Sequence, residues 1–218
     1  MNETTEHPPI QLTPVEARVL GCLMEKELVT PDNYPLTLNS LMLACNQKTS
    51  REPLMNLTLA ETKQAVNELS ARDLLRVDYG DRSQRISHRF RQALRTDRRG
   101  QAVLTLLMLR RPATLNEIRT RTERMVEFGG MEEIEQTLSR LVERQPPLVV
   151  CIPKGPGQRE DRYAHLLCGA PDLEALRNEP EAESSRRPAL DPARVDRLEA
   201  RVATLEQQVA ELLELITR

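Results

Sequence analysis

The 218 residues include 29% charged and 39% apolar side chains and carry a net charge of −2. This composition belongs to folded, helix-leaning chains and excludes wholesale disorder. The longest apolar run, 103–109, is interrupted by Thr105 and falls well short of the roughly 20 residues a membrane helix needs. With three tyrosines, two phenylalanines and no tryptophan, the chain is also a poor candidate for stacking single-stranded bases on aromatic rings.

The first nine residues carry no cationic segment and no apolar stretch, so no secretory signal is expected and the protein is placed in the cytoplasm. Thr13-Pro14-Val15-Glu16 opens a first helix. Threonine is the N-cap, proline sits where its missing N–H costs nothing, and glutamate closes a capping box. Val19, Leu20, Leu23 and Met24 then form a one-sided apolar stripe. A short helix is predicted over 38–45, followed by a polar connection, Asn46-Gln47-Lys48-Thr49-Ser50-Arg51-Glu52-Pro53. A second capping box, Thr58-Leu59-Ala60-Glu61, starts a helix to about Arg72. Residues 74–79 and 85–90 read as two strands around a turn at Gly80-Asp81. Three helices followed by a hairpin are the order of a winged-helix variant of helix-turn-helix.

The order then recurs. Residues 101–109 read as a buried helix, Thr114-Leu115-Asn116-Glu117 opens another, and Gly129-Gly130 breaks the chain. A helix over 131–144, a strand over 148–152 and a return strand over 162–167 follow. Leu69-x-x-Arg72 recurs 72 residues later as Leu141-x-x-Arg144, and the strand that starts at Arg85 recurs 77 residues later from Arg162. The expected architecture is mainly α with small β-hairpins: winged-helix domains at 10–95 and 100–169, then a flexible linker at 170–193 rich in Pro, Glu, Ala and Ser. Over 194–218, Val195, Leu198, Val202, Leu205, Val209, Leu212 and Ile216 alternate in steps of three and four. β-Branched residues at one seam position and leucine at the other predict a parallel two-stranded coiled coil, hence a homodimer. The plainer alternative is a helix packed back on its own domain.

The blocks 12–26 (from Leu12-Thr13-Pro14-Val15-Glu16), 30–36 (Thr30-Pro31-Asp32-Asn33-Tyr34-Pro35-Leu36) and 44–57, with its run Cys45-Asn46-Gln47-Lys48-Thr49-Ser50-Arg51-Glu52-Pro53, resemble the YceH-like family of bacterial proteins. Arg124-Met125-Val126-Glu127-Phe128 and the stretch 159–166 resemble it too. The resemblance covers roughly 10–170. It implies a pair of winged helices and carries no assigned activity and no site residues.

Enzymatic motifs are missing from the sequence: there is no GxSxG, no phosphate-cradling Gly-rich loop and no HExxH. The four cysteines, 22, 45, 151 and 168, are widely spaced and are expected to be free, mostly buried thiols. No catalytic residue, cofactor or metal site is assigned. Duplex DNA is the expected partner, because phosphate neutralisation needs cations where a wing meets the backbone. Between residues 76 and 99 lie eight arginines and three aspartates. Arg82, Arg85 and Arg89 on the first hairpin, Asn46, Lys48, Thr49 and Arg51 in the polar connection, and Lys63 on the third helix are the candidate contacts. The plainer readings are a solvated strand face and a polar loop that folds over its own backbone. In the second repeat the third helix starts Met131-Glu132-Glu133-Ile134-Glu135. Those carboxylates suit a helix N-terminus but would repel phosphate, so this half is expected to contact protein. The alternative function is a protein-interaction adaptor with no direct DNA role.

Overall fold

The structure, a computed structural model, describes residues 10–79 and 84–178. Among them the chain is a mixture of α-helices and small antiparallel sheets. The heptad segment and Arg82 lie outside the described residues.

All three capping boxes form. Thr13, Thr58 and Thr114 each accept from the backbone N–H three residues on, and Glu16, Glu61 and Glu117 each reach back to the cap's own N–H. They start α1 (Pro14–Val29), α3 (Leu59–Ala71) and α6 (Leu115–Thr122), while α2 spans Leu38–Cys45. After α3, β1 (Leu75–Tyr79) and β2 (Gln84–His88) pair antiparallel with Val77 opposite Ile86. The chain does not continue as a strand through Phe90. That residue is fully buried and begins a short helix, α4 (Phe90–Leu94). Asp97 then caps α5 (Arg98–Leu109) by accepting from Gly100 N at 2.7 Å. After α6, α7 (Met131–Glu143) leads into β4 (Val149–Ile152) and β5 (Arg162–His165). Residues 173–178, expected to be linker, form α8 (Leu173–Asn178). Arg162 and Gln158 donate to its Leu176 carbonyl, which ties this turn to the second sheet.

The repeat extends to strand pairing. Leu36, just before α2, exchanges both backbone hydrogen bonds with Ile86 of β2, at 3.1 and 2.8 Å. In the same place before α6, β3 (Ala113–Thr114) pairs with β5, with Ala113 opposite Tyr163. Both partners of this pair lie 77 residues beyond their counterparts in the first half. Sheet order in the second half is β3-β5-β4.

One core serves both halves. Residues 16–24 of α1 are buried without a break, and so are residues 100–109 of α5. The one-sided stripe expected for α1 is therefore corrected: its other faces are covered too, chiefly by α5. Gly21 makes this close crossing possible, since a Cβ there would stand 3.0 Å from Leu109 Cδ2. A single apolar cluster runs from Leu12 and Leu20 through Phe90 and Leu104 to Ile134 and Leu167. No helix among the described residues is long and apolar enough to cross a membrane.

Candidate nucleic-acid interface

The polar connection between α2 and α3 is held rigidly from beneath. An eight-residue helix such as α2 ends in carbonyls without intrahelical partners, and here two arginines collect them. Arg18, from α1, donates to Cys45 O at 3.0 Å and to Pro53 O at 2.5 Å. Arg51, from the connection itself, donates through Nε to Ala44 O at 3.1 Å. Its guanidinium also grips both oxygens of Glu25 and donates to Gln47 Oε1 at 3.0 Å. Both arginines are essentially sealed from solvent, at 1% and 2% exposure. Burial lowers the Arg18 pKa. For Arg51 burial is the largest single influence and acts in the same direction, but the hydrogen bonds and charge of Glu25 together with Cys22 outweigh it and the pKa moves up.

Two residues expected to face a duplex are thus committed elsewhere. Arg51 is spent inside the fold. Asn46 clamps the far end of the connection, donating to Leu57 O and accepting from Leu57 N, each at 2.8 Å. Polar loop residues look alike in sequence whether they hold a backbone or face solvent, which is why spacing did not separate them. Lys48 and Thr49 are exposed, as are Lys63 on α3 and Arg85 and Arg89 on the hairpin side. Arg85 Nη1 touches Pro35 O at 3.2 Å, and Arg89 pairs with exposed Asp73 at 3.2 Å. Neither contact buries its charge.

Beneath this surface lie Cys22 and Cys45, both buried and free. Cys22 Sγ donates to Ala44 O at 3.4 Å, and the adjacent Cys22 together with burial pushes the Cys45 thiol up. Both thiols are sealed from solvent. Cys151 is half-buried and Cys168 exposed, so the expectation of mostly buried thiols holds for the first pair only.

A network unforeseen in the sequence joins the halves. His88, at the end of β2, accepts from Phe90 N through Nδ1 at 3.2 Å. Its Nε2 must then carry the proton, which it donates to Glu27 Oε2 at 2.9 Å. Gln101 of α5 donates to the same oxygen at 2.9 Å, and Arg91 lies 3.5 Å from the other. The His88 hydrogen bond, first of all, lowers the Glu27 pKa to about 2. Tyr34 completes the corner, its hydroxyl accepting from His88 N at 2.7 Å. In the second half, the acidic start of α7 is partly neutralised: Glu133 pairs with Arg99 at 2.9 Å and accepts from Gly129 N. Glu132 and Glu135 stay exposed.

The family model described as "Protein of unknown function, DUF480" matches residues 12–158. A UPF0502 protein of Cellvibrio japonicus is 51% identical over 207 residues, covering 95% of this chain and 93% of the relative. Relatives of the same name in Mesorhizobium japonicum and Vibrio vulnificus are 46% and 43% identical, each covering at least 94% of both chains. The extent of these matches, which agrees with the YceH-like resemblance, shows that the chain belongs to the DUF480/UPF0502 family of bacterial proteins.

Proposed function

We propose that the chain is a cytoplasmic, dimeric DNA-binding protein made of two winged helices in tandem, with transcription regulation as its setting. In this reading the first winged helix meets duplex phosphates through Lys48, Thr49, Lys63, Arg85 and Arg89, joined by Arg82 at the hairpin turn. The coiled coil of 194–218 pairs two copies and places two weakly basic modules on one duplex, raising affinity through effective concentration. The observation that carries the reading is the repeated element order, down to the Leu36–Ile86 and Ala113–Tyr163 pairings, with exposed cations on the hairpin of the first repeat. Asn46 and Arg51 enter it as the frame that presents Lys48 and Thr49.

A second reading, a protein-interaction adaptor, draws on a different observation. Leu43 and Leu54 are each 65% exposed and Tyr79 79%, and the start of α7 is acidic. Direct titration of a labelled random-sequence duplex with the full chain separates the two. Salt-sensitive binding in the micromolar range supports DNA contact, and no binding at low salt favours the adaptor.

A further inference from the structure

A cleft of about 100 Å³, partly open to solvent, lies where the two halves meet. Its apolar wall is formed by Val29 at the end of α1, Leu106 of α5 and Met125 just after α6. Met125 belongs to a small buried cluster with Leu28 and Ala102, so this wall is fixed by packing. Arg110, Arg121 and Arg124 line it too, with Glu25 and Ser50. Arg121 is paired with Glu117 at 2.8 Å. Arg110 and Arg124 make no hydrogen bond or ion pair among the described residues.

An unpaired guanidinium taken partly out of water is costly. Arg110 feels that cost, since burial first and then the Arg121 charge lower its pKa. The nearby carboxylates do not relieve it. Glu25 is held by Arg51, Glu117 by Arg121, and Glu52 acts on Arg110 only at a distance, without an ion-pair contact. With Glu25 held by Arg51 and Arg121 by Glu117, the guanidiniums of Arg110 and Arg124 are left without a paired carboxylate at the cleft.

We infer that this cleft binds a small carboxylate, with the carboxyl group between Arg110 and Arg124 and a short aliphatic chain against Val29, Leu106 and Met125. A cleft of this size with an apolar wall suits a short-chain acid. The two guanidiniums suit the two oxygens of a carboxylate, and the apolar wall gives phosphate nothing to contact. Because the cleft touches α1, the polar connection at Ser50 and the second repeat together, its occupant would brace the seam between the halves. The inference does not depend on DNA binding.

The test is calorimetric titration of the full chain with butyrate, with chloride and inorganic phosphate as comparison anions at matched ionic strength. Saturable butyrate binding is expected, weakened about tenfold or more in Arg110→Met, the size of one charge-assisted hydrogen bond. Arg124→Met, at an exposed position, should weaken it similarly and guards against misfolding of the first variant. Arg140→Met, away from the cleft, should leave binding unchanged. Equal heats from chloride, or butyrate affinity unaltered in both cleft variants, would overturn the site. Arginine-dependent binding of phosphate without butyrate would overturn the ligand class.

Discussion

Arg51 reaches from the connection between α2 and α3 to Glu25 on α1 and holds both carboxylate oxygens, with N–O distances of 3.1 and 2.5 Å. The guanidinium is fully buried and the carboxylate nearly so. Removing one partner of such a pair strands a buried charge, at a cost of about 3–5 kcal/mol. Arg51→Met should therefore lower the urea midpoint sharply. Arg51→Lys should recover little of the loss, because an ammonium cannot span both oxygens and Ala44 O together. A near-wild-type midpoint for either variant would show that the connection does not need this anchor.

The α1–α5 crossing makes a separate prediction. Gly21→Ala places a methyl group 3.0 Å from Leu109 Cδ2, and overpacking of this kind costs about 1–3 kcal/mol. Because the same core runs through both halves, residues 10–178 should unfold in one cooperative transition and Gly21→Ala should shift all of it. Two resolved transitions, with only one displaced, would mean that the halves fold independently.

Acid should destabilise the fold in two stages. His165 has a buried Nδ1 without a hydrogen-bond partner among the described residues, and burial lowers its pKa from 6.5 to about 4. The fold prefers the neutral ring, so stability is full above pH 6.5 and declines as pH falls toward 4. Glu27, lowered from 4.5 to about 2, favours the fold as the anion. Its contribution is complete above pH 4.5 and is lost as pH falls through 2. Urea midpoints measured across this range should show both limbs. His165→Gln should flatten the upper one and Glu27→Gln the lower, and a limb that survives its own substitution would rule out the assigned group.

Dimerisation is testable apart from the rest. In the proposed coiled coil, position 205 is at the centre of the heptad seam, where proline would break a helix. Leu205→Pro should give monomers by light scattering while leaving the melting of 10–178 unchanged. A persistent dimer would move the interface out of the 194–218 segment.

Much of this architecture was legible in the sequence because its signals are local. The three capping boxes fix where α1, α3 and α6 begin, and alternation marks β1 with β2. The bounds of α2 match the expectation. What escaped was set by tertiary contact. Arg51 and Lys48 are both polar residues of one loop, and only the carbonyls at the end of α2 and the position of Glu25 decide which turns inward. Phe90 continues an alternating strand pattern, yet the corner built by His88 and Tyr34 ends the strand before it. The all-round burial of α1 depends on Gly21 admitting α5, and a lone helical glycine carries no such message by itself. The cleft arginines are distributed between α6 and the ends of two elements, so no sequence window brings them together.

The most direct test of DNA contact by the first repeat is the salt dependence of duplex binding, read by fluorescence anisotropy, for wild type against Lys48→Ala/Arg85→Ala. Each lost phosphate contact lowers the slope of log affinity against log salt by about one. The DNA-binding reading predicts micromolar affinity at low salt, a steep wild-type slope, and a slope reduced by about two in the double variant. Absence of binding at low salt, or an identical slope in both proteins, would contradict it.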